Sequence, residues 1–154
     1  MQPIYLAMPK EIKNRKAKFE YHFLKEIEAG IVLCGTEVKS IRGGEANIND
    51  AFCYFKNSEL YIKNMYIAEY KYGNINNHEE RADRKLLLKR AELKKLEKRV
   101  KEKGLSLVPY RVYFSERGHI KVEIILGQGK KSFDKSQTIK DRDAKRDMDR
   151  AKKL

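Results

Sequence analysis

The sequence predicts a mainly β fold with helices: a six-stranded antiparallel barrel with flanking helices and a basic C-terminal tail. Three observations point to it. Short segments with a period of two recur between turn signals, the pattern of hairpins half-buried against one core. One helical stretch falls between the fourth and fifth of these segments, and the small architecture that best accommodates it is the oligonucleotide-binding barrel. Charge is segregated into appendages, which leaves a near-neutral body.

Each element follows from local chemistry. Tyr and Phe alternate in KFEYHFLKEI (18–27), a half-buried strand, and IVLCG (31–35) is a short apolar run that predicts a second. In GTEVKSIRGG (35–44) Thr36 can cap, Val38 and Ile41 stand at i,i+3, and Gly43-Gly44 can terminate, which predicts a short helix. AFCYFKNSELYIKNMYI (51–67) predicts a hairpin turning at Asn57-Ser58. In ERADRKLLLKR (80–90) buried Leu86, Leu87 and Leu88 are expected to anchor a cationic loop against the body. AELKKLEKRVKEKG (91–104) puts Leu93, Leu96 and Val100 on one stripe and ends in Gly104, a surface helix with a C-cap. LSLVPYRVYFSERGHIKVEIIL (105–126) predicts a second hairpin, turning at Glu116-Arg117-Gly118. Pro109 removes a ladder donor from its strand, so an edge or a bulge is expected there. In GQGKKSF (127–133) two glycines are expected to break the last strand. The chain then divides into a flexible N-terminal extension (1–13), a barrel (14–128) and a basic tail (129–154).

The net charge of +13 over 154 residues points to a polyanionic partner. Residues 1–18 carry five Lys/Arg against one acid, 79–103 eleven against six, and 128–154 ten against five. The remainder carries nine against ten. Anion binding by appendages explains this segregation better than solubility does. No apolar run is long enough for a signal peptide or a membrane span, so a cytoplasmic location is expected. Cys34 and Cys53 form no CxxC and predict two reduced, buried thiols.

The tail TIKDRDAKRDMDRAKKL (138–154) has too few apolar residues for a core, yet holds no Gly or Pro. As a helix it would align Arg142, Arg146 and Arg150 on one face, supported by Asp141–Lys145 and Asp149–Lys153 pairs. It reads as disordered when free and helical when a partner neutralises that face. Just before it, KKSFDK (130–135) encloses Phe133 between cations, suited to stacking on a base while lysines hold phosphates.

Catalytic signatures are absent from the sequence. His22, His78 and His119 have no spacing that marks a pair, and they read as unrelated imidazoles. There is no HExxH, EF-hand or GxxxxGK[ST] pattern, so neither metal nor cofactor is expected.

NRKA (14–17), EAGIVLCGTEVKSIRGG (28–44), NHEERADRKLLLKR (77–90), VKEKGLSLVPYRVYF (100–114) and GKKSFDKSQTIKDRDAKR (129–146) together resemble the SmpB family. The resemblance is colinear from about Asn14 to Arg146, and the combination of GTEVKS, RKLLL and GKKxxDK is specific. It implies a bacterial, cytosolic RNA-binding protein with an oligonucleotide-binding-like barrel, not an enzyme. Its partners would be the tRNA-like domain of transfer-messenger RNA, elongation factor Tu in the delivered complex, and stalled ribosomes. The tail would become helical in the empty messenger channel beyond the 16S decoding centre.

Carried over residue by residue, the resemblance places RNA contact, or support of the RNA-binding face, at Asn14, Glu28, Leu87 and Lys121. Leu87 is expected to support that face from within. Arg15, Lys16, Lys39, Arg42, His78, Arg81, Arg84 and Lys85 complete the expected transfer-messenger RNA surface. Decoding-centre and channel contacts fall on Lys130, Lys131, Phe133, Asp134, Lys135, Ile139, Lys140, Arg142, Lys145, Arg146 and Arg150. Ser136 stands where the family commonly has Arg, and Ala151 where a larger apolar residue is common. Two rivals share the basic segments: a general tRNA-binding barrel, and a histidine-dependent ribonuclease.

Overall fold

The computed structural model describes residues 11–73 and 77–130. Nine strands and three helices alternate as β1 (Ile12–Lys13), α1 (Ala17–Glu20), β2 (Tyr21–Ile31), α2 (Gly35–Arg42), β3 (Ala46–Asn47), β4 (Phe52–Lys56), β5 (Glu59–Lys63), β6 (Tyr66–Ile67), β7 (Arg84–Leu87), α3 (Arg90–Lys103), β8 (Ser106–Phe114) and β9 (Ile120–Gly129). The pairing β8-β4-β5-β7-β2-β9 returns to β8, so six antiparallel strands close a ring. Closure removes exposed edges. Strands β3 and β6 form a separate small sheet.

The count of six was legible in the sequence, but the membership was not. Of the two strands expected at 18–27 and 31–35 only the first forms, as β2, which runs on to Ile31 and is preceded by the short helix α1; residues 32–34 lead into α2 outside any strand. The vacancy is filled by β7, in the segment expected to be a loop. β7 pairs with both β5 and β2. Of the three leucines expected to be buried, only Leu86 is fully so; Leu87 is 52% exposed. The alternation of strand side chains sends Leu87 to the face opposite Leu86.

The hairpins form as expected. Asn57 and Ser58 both have positive φ, the backbone a tight two-residue hairpin loop needs. Gly104 caps α3 with a φ of 62°. The β8–β9 ladder shifts register between Pro109 and Arg111, the bulge anticipated at the proline. In contrast, the cap of α2 is not Thr36. The N-cap is Cys34, whose N–H donates to Glu37 Oε1 at 2.9 Å. The Cys34 thiol is exposed, not buried as expected, while burial of Cys53 pushes its thiol up and keeps it protonated.

Both expected domain boundaries shift. Ile12 is buried, and Ile12–Lys13 pair with Val112 and Arg111, so the fold begins inside the expected extension. β1 takes up the β8 edge that β4 pairs only at Leu107. At the other end β9 runs through both glycines, and Gly127 and Gly129 pair with Phe23 and Tyr21. A Cβ on Gly127 would lie 3.1 Å from Tyr21 Cβ and 3.3 Å from the His22 carbonyl oxygen. Close strand approach selects glycine there instead of breaking the strand.

The barrel interior is filled by Leu60, Ile62, Leu86, Val122, Ile124 and Leu126, all fully buried. Leu93 and Leu96 of α3 join this core. A second cluster of Ala17, Val108 and Ile125, flanked by Tyr21, Phe23 and Tyr110, lies where α1 covers the outside of β8 and β9. Burial on both faces explains the unbroken apolar run Ile124-Ile125-Leu126.

Candidate nucleic-acid interface

Strand register assembles the site. In paired antiparallel strands, partners share a face, and residues two apart share it too. Leu87 of β7 pairs with Gly30 of β2, Gly30 with Lys121 of β9, and Lys121 with Tyr113 of β8. Glu28 lies two residues before Gly30 and therefore joins them on the outer surface. The intervening Ala29, Leu86, Val112 and Val122 point into the core. Gly30 leaves the centre of this row without a side chain. The result is an open groove of about 420 Å³ lined by Glu28, Gly30, Leu87, Leu88, Lys89, Glu92 and Lys121.

Its chemistry is not that of a plain cationic patch, since two carboxylates face two ammonium groups. The Tyr113 hydroxyl donates to Glu28 Oε2. Burial, then that hydrogen bond, pushes the Tyr113 phenol up to about 12, so it remains a donor at neutral pH. Arg111 lies 4.4 Å from the Tyr113 ring centroid and bonds Glu123 and Glu11. Glu28 is thus oriented from behind, with acceptor capacity left for a ribose or base donor. Lys89 and Lys121 can hold phosphates, and Leu87 offers an apolar contact. Leu87 was expected to support this face from within; its exposure makes it part of the lining.

Other expected contacts are structural. Arg84 is 3% exposed, and all five of its N–H donors are used. Nε bonds Glu37, Nη1 bonds the carbonyls of Met65 and Ala82, and Nη2 those of Glu79 and Glu80. No donor remains for RNA, which corrects its place in the expected surface. Burial pushes the Glu37 carboxyl up, but the Cys34 N–H and Arg84 outweigh it and hold it below the usual carboxylate value. His78 donates from Nε2 to the Ile67 carbonyl at 3.0 Å, and its Nδ1 is hydrogen-bonded to Thr36 Oγ1 at 2.8 Å. It fastens its loop to α2. Asn14, 2% exposed, bonds the Pro109 carbonyl at 3.1 Å, and its N–H donates to the Tyr110 carbonyl at 2.7 Å. It stabilises the proline bulge and lies away from the Glu28 groove.

The remaining basic residues are on the surface. Lys39, Arg42 and Arg81 lie over the rings of Tyr70, Phe114 and Tyr66. Arg15 and Lys16 are exposed, Lys16 3.6 Å from Asp50. Lys85 is 3.9 Å from Glu59. Lys130 is half-exposed immediately after β9. Lys131, Phe133, Asp134, Lys135, Ile139, Lys140, Arg142, Lys145, Arg146 and Arg150 lie outside the described residues. Among the described residues, no cluster of His, Cys, Asp or Glu could hold a metal, and no helix is long and apolar enough to cross a membrane.

The family model described as SmpB protein matches residues 11–154. The chain belongs to the SmpB family. An SsrA-binding protein of Christiangramia forsetii is 51% identical over 149 residues, which covers 97% of this chain and 95% of the relative. That of Cytophaga hutchinsonii is 53% identical, covering 90% and 91%. That of Desulforamulus reducens is 52% identical, covering 90% and 86%. Among solved structures, a chain from one described as "tmRNA-SmpB: a journey to the center of the bacterial ribosome" superposes with a TM-score of 0.65. It is 47% identical, with 78% of this chain and 84% of that chain covered.

Within this SmpB-family barrel, the expected residues Glu28, Leu87 and Lys121 meet although they stand far apart in sequence. Sequence reasoning missed Tyr113, Gly30 and Lys89. The signal for Tyr113 was present in YRVYF, where alternation opposes it to buried Val112. Its partner Glu28 lies 85 residues away and required the register.

Proposed function

We infer that the protein binds transfer-messenger RNA and delivers it to stalled ribosomes, with the groove of Glu28, Leu87 and Lys121 as the contact for the tRNA-like domain. The observation that carries this reading is the convergence of those three side chains from β2, β7 and β9. Membership of the family, whose relatives are called SsrA-binding proteins, supports it. In this reading the protein is a cytoplasmic RNA-binding adaptor, and elongation factor Tu travels in the delivered complex. Glu28 accepts hydrogen bonds from the RNA, while the basic segments neutralise phosphates.

The tail supplies the second function. Its face of Arg142, Arg146 and Arg150 folds as a helix against ribosomal RNA when the messenger channel is empty, with Phe133 and Lys135 at the decoding centre. Cutting the chain after Lys131 tests the division of labour. Binding to transfer-messenger RNA should survive within a few-fold, while tagging of stalled products is lost. Loss of both activities would refute the separation, and retention of tagging would refute the sensor. Ala144→Pro gives the finer test. It costs about 3 kcal/mol in a helix interior and keeps every charge, so normal tagging by that variant would exclude a helical tail.

A further inference from the structure

The outer face of the barrel does not end at Leu87. Lys85, two residues earlier on β7, shares its face and pairs with Tyr61 of β5, which pairs with Tyr54 of β4. The two tyrosine rings are stacked, with centroids 5.7 Å apart and planes at 25°. Both are half-exposed, while Leu60 and Ile62 beside Tyr61 are fully buried, so the rings stand on the solvent side. Phe52, two residues before Tyr54, is 42% exposed on the same face and pairs with Lys63.

The charges favour an anion. Glu59 is offset by Lys85 at 3.9 Å and Arg90 at 3.6 Å. Asp83 accepts the Tyr54 hydroxyl at 2.7 Å, which fixes the ring at its edge and keeps the phenol protonated. Exposed aromatic rings among cations on a barrel strand face suit unpaired nucleotides, because every base has a π-face to stack and the cations track the backbone.

We propose that the Tyr54–Tyr61 stack is a second RNA subsite, which takes bases of an unpaired RNA segment continuous with the RNA held at Glu28 and Lys121. The continuity rests on the function proposed above, while the stacking itself does not. Lys85 and Leu87, about 7 Å apart along β7, bridge the two parts. The groove supplies hydrogen bonding and the tyrosines supply sequence-tolerant stacking.

The test uses the full-length chain, an unpaired RNA hexamer and the isolated tRNA-like domain. Tyr54→Ala/Tyr61→Ala should weaken hexamer binding by roughly tenfold or more, given the usual strength of base–aromatic stacking. The slope of log affinity against log salt should not change, since no cation is removed. Tyr54→Phe/Tyr61→Phe keeps both rings and should bind within about twofold of the parent. As the chain has no Trp, Tyr61→Trp supplies a local reporter whose fluorescence should be quenched by the hexamer. Hexamer affinity unchanged in the alanine pair, or no quenching in the tryptophan variant, would overturn the subsite. Lys121→Ala separates the two ideas. If it weakens binding of the tRNA-like domain while the alanine pair binds both RNAs normally, the groove stands and the extension fails. If only the alanine pair loses hexamer binding, the stacking subsite stands without the groove.

Discussion

Arg84 and Arg111 both sit on barrel strands and both bond a glutamate through Nε, Arg84 with Glu37 and Arg111 with Glu123. Their surroundings differ. Arg84 is 3% exposed and gives its other donors to four backbone carbonyls, that of Met65 before β6 and those of Glu79, Glu80 and Ala82 before β7. Arg111 is 34% exposed, shares a second carboxylate with Glu11, and lies against the ring that orients Glu28. Identical pair chemistry thus serves two ends. In the interior it ties the 79–82 loop to α2 and to the chain before β6; at the surface it arranges side chains for a ligand.

The largest expected effect separates the two arginines by stability. Arg84→Ala leaves the buried Glu37 carboxylate without its counter-charge and takes a donor from each of four carbonyls, and should cost about 3–5 kcal/mol in urea unfolding. Arg111→Ala removes a partly exposed pair whose carboxylates keep access to water, and should cost less, about 1 kcal/mol. Equal losses would dissolve the distinction. Acid sharpens it further. Because Glu37 is held below its ordinary value of 4.5 in the fold, its contribution is present above that value and fades as pH falls through the lower folded one. Glu37→Gln should therefore lower stability at neutral pH and flatten the acid limb of a stability–pH curve. An unaltered acid limb would show that other carboxylates control it.

Next in size is an effect on binding. Glu28→Ala should weaken the RNA complex by about 1.5–3 kcal/mol, although it removes a negative charge from a protein that binds a polyanion. Its unfolding should barely move. Tighter binding would mean that bulk electrostatics wins and that Glu28 accepts nothing from the RNA. A smaller effect follows for the residue behind it. Tyr113→Phe should cost roughly 0.5–1.5 kcal/mol of binding and almost nothing more once Glu28 is Ala. Additive losses in that double-mutant cycle would place Tyr113 in direct contact with RNA. The smallest change concerns a slope: Lys121→Ala should reduce the dependence of log affinity on log salt by about 0.9, one phosphate contact. A slope unaffected by Lys121 would remove that lysine from the phosphate contacts.

The pattern of elements was largely legible. Both hairpins, the capped helix at 91–104 and the bulge at Pro109 each follow from a few adjacent residues, because turn chemistry, periodicity and a missing N–H act locally. β7 was not legible. RKLL is four residues between charged flanks, and it becomes a strand because β5 and β2 present open ladders on either side. Likewise, Gly127 looks like a breaker until β2 approaches to contact distance.

For the site, the sequence by itself determined the family and the basic balance and singled out Glu28, Leu87 and Lys121, whereas the outward face of Leu87 came only with the pairing of β7. Only the tertiary structure decided which basic residues remain available to a ligand. Arg81, Arg84 and Lys85 read alike within one charged run, yet Arg84 has every donor consumed while its neighbours stay at the surface. The cause is physical: a guanidinium removed from water must replace its hydrogen bonds with protein acceptors, and residues brought together from Glu37, Met65, Glu79, Glu80 and Ala82 can supply them only once the barrel has closed.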